Sequence, residues 1–121
     1  MIADVKRAYF HAKAQKLVYV KLPAEDILPG EEGMCGRLNF SMYGTRDAAV
    51  NWANEYSSRL IEFGFTQGKA TPCVFYHESR GIRAYVHEDD FVVAAMPNQL
   101  KWLQDKGGWH FCFPWFWFLF I

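Results

Sequence analysis

Two adjacent carboxylates, Asp89 and Asp90, sit between two β-rich runs, Ile82 to His87 and Phe91 to Ala95. That juxtaposition restricts the fold more than any other stretch of the chain. Runs this short, rich in β-branched and aromatic residues, read as neighbouring strands. The acidic stretch Glu88, Asp89 and Asp90 then falls at or beside a tight strand-to-strand turn. Like charges held close together between apolar strands repel one another and lose hydration, so they need either open water or a neutralising cation. A hard divalent ion prefers carboxylate, carbonyl and phosphate oxygens, which makes such a turn, with a third carboxylate nearby, suited to phosphoryl transfer. On these residues alone, a solvated acidic turn is the competing reading.

The surrounding pattern supplies the rest of the frame. Cys73 to His77 is a further β-rich run, joined to Ile82 by Glu78-Ser79-Arg80-Gly81, a turn in which the glycine provides a positive φ. From Asp47 to Phe63, Ala49, Trp52, Ala53, Tyr56, Leu60 and Phe63 recur at intervals of three and four. This spacing predicts a helix with one apolar face, closed by Gly64. Asn98 to Lys106 fits a second, shorter helix. Ile2 to Phe10 is strand-compatible, Leu17 to Val20 is a β-rich run ended by Pro23, and Pro23 to Gly36 reads as a surface loop.

The composition changes after about Gly107. Trp109 to Ile121 is WHFCFPWFWFLFI, holding five of the eleven phenylalanines and no Asp, Glu, Lys or Arg. It is shorter than the roughly 20 residues a membrane span needs, and Pro114 interrupts it. We expect the domain to occupy residues 1–106 and the aromatic tail, 107–121, to lie outside it; a sticky interfacial segment is the alternative reading of the tail. The 121 residues amount to one domain, and 13 basic against 13 acidic side chains leave no global basic signal for nucleic acid. Local charge is uneven, since Lys6, Arg7, Lys13, Lys16 and Lys21 face only Asp4 within the first 21 residues. A solvated face accounts for these lysines as readily as phosphate contacts do. Cys35, Cys73 and Cys112 have no metal-ligand spacing and read as reduced thiols of an intracellular protein.

Several segments in order resemble the Ty1/copia-type (Pseudoviridae) retrotransposon reverse transcriptases. Asp4-Val5-Lys6-Arg7-Ala8-Tyr9-Phe10-His11 is similar to the family's Asp-Val-Lys-x-Ala-Phe-Leu-His motif, and Val18-Tyr19-Val20-Lys21-Leu22-Pro23 to its Val-Tyr-Met-x-x-Pro. Arg37 to Arg46, followed by Trp52, parallels the block Leu-x-x-Ser-Leu-Tyr-Gly-Leu-Lys-Gln-Ala-Pro-x-x-Trp. Gly64 to Tyr76 echoes Gly-Phe-x-x-Ser-x-x-Asp-Pro-x-x-Phe, and His87-Glu88-Asp89-Asp90 stands in the place of Tyr-Val-Asp-Asp. The chain departs from the pattern at His87 and Glu88, at Asp47-Ala48-Ala49 in place of Gln-Ala-Pro, and at Thr71 in place of the aspartate.

The resemblance implies an α/β (α+β) palm fragment: a small, mainly antiparallel sheet carrying the carboxylates on one edge turn and covered by one main helix. It implies RNA-directed DNA synthesis as the family activity, with Asp4, Asp89 and Asp90 catalytic. Two Mg2+ ions would be held by those carboxylates and the carbonyl of Val5. Tyr9 would be the aromatic gate against a ribose 2′-hydroxyl, and Tyr43 and Gly44 would line the nucleotide side. Lys6, Arg7 and Arg46 would contact phosphates of an RNA or DNA template-primer, with a deoxynucleoside triphosphate as the other substrate. Trp52, on the apolar helix face, reads as core. Family members place a fingers region before the palm and thumb, connection and RNase H regions after it, so this chain alone is expected to be inactive. Cytoplasmic, particle-associated or nuclear localisation follows from the same resemblance. A non-catalytic nucleic-acid-binding module and a degenerate product remain the alternatives.

Overall fold

The computed structural model of the chain describes residues 1–107 and 111–112. Its main sheet is antiparallel, with strands β1 (Ile2–Val5), β4 (Thr66–Gln67), β5 (Val74–His77), β6 (Ile82–His87), β7 (Asp90–Ala94) and β8 (Phe111–Cys112). They are ordered β4-β5-β6-β7-β1-β8. A separate ribbon pairs β2 (Tyr19–Lys21) with β3 (Cys35–Arg37). The helices are α1 (Ala48–Glu62) and α2 (Pro97–Gly107). This is the small α+β architecture expected from the sequence. Of the aromatic tail, Gly107 ends α2 and Phe111–Cys112 pair through their backbone with Asp4 and Val5 of β1; the rest falls outside the described residues.

Strict alternation along β6 and β7 decides which face of the sheet is covered. Ile82, Ala84, Val86, Phe91 and Val93 point inward, and Arg83, Tyr85, His87, Asp90 and Val92 point outward. α1 closes the inner face with Trp52, Tyr56 and Leu60, and the Tyr56 ring meets Phe75 and Phe91 edge-on at centroid distances of 6.0 and 5.7 Å. Burial of each such side chain contributes on the order of 1.5–3 kcal/mol. α2 adds Leu103 to the same core. The outer face keeps a row of exposed apolar side chains in direct cross-strand register, Ile2, Val92, Tyr85 and Val74. Among the described residues, no helix is long and apolar enough to cross a membrane.

The predicted helix and its stop are both present. Phe65 N–H donates to the carbonyl of Leu60 at 3.0 Å and Gly64 N–H to that of Ile61 at 2.9 Å, with Gly64 at φ 93°. This pair of bonds around a left-handed glycine satisfies two of the carbonyls in the last turn of α1. The connection from Glu78 to Arg80 is a single 3-10 turn, and Gly81 takes the positive φ, 61°, expected of it.

Other boundaries differ from the sequence reading. The run Ile2 to Phe10 is a strand only as far as Val5, because Arg7 adopts a left-handed conformation and Ala8–His11 coil into a 3-10 turn. That turn packs Ala8 into the core, a tertiary contact that overrides local strand propensity. β2 begins at Tyr19 rather than Leu17, and the end of the predicted loop, from Cys35, is strand. The acidic turn lies in the interior of the sheet, between β6 and β7 and beside β1, and not at a sheet edge.

Candidate metal site

His87 pairs with Asp90 across the end of β6 and β7, leaving Glu88 and Asp89 as a two-residue hairpin turn. Turns of this length favour glycine at a central position with positive φ, yet here Glu88 adopts φ 56°. On the other side of β7, Asp4 lies directly opposite Asp90, and both belong to the outward-facing set of their strands. The register alone therefore brings Asp4 and Asp90 together on one face, while the turn adds Asp89. One carboxylate oxygen from each of the three lies within 4.8 Å of the others. Asp4 and Asp89 are partly buried and Asp90 is exposed.

The turn is tied down from two directions. The indole N–H of Trp52, on α1, donates to the carbonyl of Glu88 at 2.7 Å. The backbone N–H of Val5 donates to the carbonyl of Asp89 at 2.9 Å. Consecutive carbonyls of the turn are thus held by the helix beneath it and by the strand that carries Asp4. Electrostatics reflect the crowding: partial burial, then the charges of Asp89 and Asp90, push the Asp4 carboxyl above its ordinary range. Such a cluster of hard oxygen donors suits a divalent cation.

The aromatic residues singled out from the sequence form one wall beside this turn. Tyr9, on the 3-10 turn after β1, stacks on Tyr43 with centroids 4.3 Å apart and planes 28° from parallel, and Phe10 tilts against Tyr43 at 5.8 Å. Both phenols are raised above their usual range. For Tyr9 the cause is partial burial, then Glu88 and Asp89; for Tyr43 it is partial burial, then Asp89, partly offset by backbone hydrogen bonding from Tyr9 and Ala8. The two rings are therefore electrostatically coupled to the acidic turn. Gly44 follows at φ 87° with open space where a Cβ would stand. Val5 is fully buried. Lys6, Arg7 and Arg46 are exposed, and among the described residues none of them forms an ion pair with the three carboxylates.

Sequence reasoning assigned Trp52 to the core, which is correct at 1% exposure, but missed its bond to the turn. The signal available was the tryptophan's place at one end of an apolar helix face, with a buried indole N–H that needs an acceptor.

An antiparallel sheet backed by helices, with carboxylates at a hairpin turn and on the adjoining strand, is the arrangement of a polymerase palm. The chain belongs to the reverse transcriptase family: the model described as "Reverse transcriptase (RNA-dependent DNA polymerase)" matches residues 2–106. A similar protein is the "Retrovirus-related Pol polyprotein from transposon TNT 1-94" of Nicotiana tabacum, 26% identical over 100 residues. That alignment covers 80% of this chain and 8% of the relative, so the chain spans a small part of its length. No solved structure gives a significant match. The copia-type retrotransposon resemblance read from the ordered motifs agrees with both findings.

Proposed function

We propose that this chain is the palm portion of an RNA-directed DNA polymerase and that Asp4, Asp89 and Asp90 hold the divalent ions of its nucleotidyl-transfer site. The observation that carries the reading is the convergence of three carboxylate oxygens within 4.8 Å, from β1, β7 and the hydrogen-bonded turn that precedes β7, in a chain of the reverse transcriptase family. Mg2+ is the expected ion, and when bound it would neutralise charge on the reacting phosphate and lower the cost of deprotonating the primer hydroxyl.

Asp4 and Asp89, partly buried and fixed by backbone pairing, are the main ligands, and the more exposed Asp90 supports them. The carbonyl of Val5 completes the donor set. Tyr9 and Tyr43 form a stacked floor on which the sugar of a deoxynucleoside triphosphate rests, with Tyr9 excluding a 2′-hydroxyl. At Gly44, the absence of a side chain admits close approach of the nucleotide or template. Lys6, Arg7 and Arg46, exposed and without carboxylate partners at the site, meet template-primer phosphates. Positioning of template and primer dominates phosphoryl-transfer catalysis, and the regions that clamp them in the family are separate from the palm. Metal binding is therefore the property expected of this chain by itself, and primer extension that of a longer protein containing it.

Titration of the full chain with Mn2+ or Mg2+ by calorimetry tests this. Saturable binding abolished by Asp89→Asn is expected. An absence of binding, or binding indifferent to that substitution, would refute the assignment.

A further inference from the structure

We infer that Trp52 is a positioning residue for the metal site, acting through its indole N–H on the turn that carries Asp89. The inference rests on the assignment of metal binding to the three carboxylates above. Its basis is geometric. The turn contains a glutamate in a left-handed conformation, one that glycine adopts at little cost and other residues adopt only with support. Its two carbonyls accept bonds from different elements, Glu88 from Trp52 at 2.7 Å and Asp89 from Val5 at 2.9 Å.

The Val5 bond belongs to the sheet and would form in any antiparallel neighbour of the turn. The Trp52 bond comes from outside the sheet. It joins α1 to the residue immediately before Asp89, and its donor is buried among Tyr56 and Phe91, where an indole N–H left without an acceptor is costly. The bond therefore selects one orientation of the Glu88–Asp89 peptide, and with it the direction in which the Asp89 carboxylate leaves the backbone. Without it, the strain at Glu88 is relieved by rotation of that peptide, and the three carboxylates no longer converge. Trp52 does not touch the ion. It stands in the relation to the site of an outer residue that orients a ligand, where loss of the partner commonly weakens metal affinity ten- to a hundredfold.

Trp52→Phe keeps an aromatic ring in the core and removes the donor. Leu60→Ala, about two turns further along α1, provides a comparison that destabilises the same helix without reaching the turn. Calorimetric titration of the full chain with Mn2+ is expected to show about tenfold weaker binding for Trp52→Phe and unchanged affinity for folded Leu60→Ala. Equal binding by wild type and Trp52→Phe would overturn the inference alone. Equal weakening by both variants would also overturn it, as a general effect of helix stability. No binding by the wild type would overturn the metal assignment and this inference with it. If Trp52→Phe does not fold, the wild-type indole proton of Trp52 decides: its NMR resonance should shift, and its exchange slow several-fold, on saturation with Mg2+. An indole proton indifferent to Mg2+ would refute the coupling.

Discussion

Removing one charge from the site should stabilise the metal-free protein. Asp4→Asn preserves the size and shape of the side chain while eliminating its repulsion by Asp89 and Asp90. Two unit charges 4.8 Å apart, the limit on oxygen separations at the site, repel by about 0.9 kcal/mol in a water-like dielectric and about 3.5 kcal/mol at an effective dielectric of 20. Asp90 is exposed and Asp4 and Asp89 are only partly buried, so the lower figure governs, reduced further by salt. Relief of two such pairs gives a gain of about 1–2 kcal/mol, or a rise in Tm of roughly 5–10 °C for a domain of this size. The assay is thermal unfolding followed by circular dichroism, in a chelator at neutral pH and low ionic strength. Saturating Mg2+ should reverse the order, because the wild type then gains binding energy that the variant loses. Acid supplies a second check. The Asp4 carboxyl is raised in the folded state, so its stabilising contribution is fully present below the unfolded value of about 3.9 and is lost as pH rises through the folded one. The advantage of Asp4→Asn should therefore vanish below about pH 4 and grow through the mildly acidic range. A variant no more stable than wild type at neutral pH in chelator, or an advantage independent of pH, would refute the convergence of the carboxylates.

Two further substitutions probe the backbone on which the site depends. Gly64→Ala places a Cβ 3.1 Å from the Nε2 of His77 at a position with φ 93°, and chemical denaturation should show a loss of about 1–2 kcal/mol. Glu88→Gly relaxes the left-handed residue of the turn and removes a nearby negative charge; in chelator it should gain about 0.5–1 kcal/mol, measured by the same denaturation, and a loss would show that the glutamate side chain stabilises the turn.

The parts of this fold that were legible in the sequence are those governed by local rules. Spacing of Trp52, Tyr56 and Leu60 announced α1, Gly64 announced its end, and the acidic interruption between two β-rich runs announced the hairpin. What remained hidden depends on contacts between distant segments. Nothing local to Ile2–Phe10 shows that the strand stops at Val5, since the stop is set by Ala8 entering the core. β3 and β4 are two or three residues long and exist because β2 and β5 offer them free edges, which no periodicity records. That Asp4 shares a site with Asp89 and Asp90 was implied by family resemblance and not by spacing, and the Asp4–Asp90 register was visible only in the structure. Likewise, the stacking of Tyr9 on Tyr43 and the reach of the Trp52 indole to Glu88 follow only once α1 and the sheet are packed. Motif order therefore pointed to the carboxylates and to Tyr9, Tyr43 and Gly44, whereas the contacts that hold them in place emerged from tertiary structure.

The position of β1 in the sheet also bears on how the protein is made. β5, β6 and β7 pair with their neighbours in sequence, but β1 must wait for β7, its partner from the far end of the domain. During synthesis Asp4 leaves the ribosome long before Asp89 and Asp90, and its strand stays unpaired until almost the whole domain has emerged. Closing that long loop is entropically unfavourable, and it also brings together carboxylates that repel one another. Divalent ions would offset that repulsion and so favour this step, and metal binding at the proposed site would report that β1 has found β7.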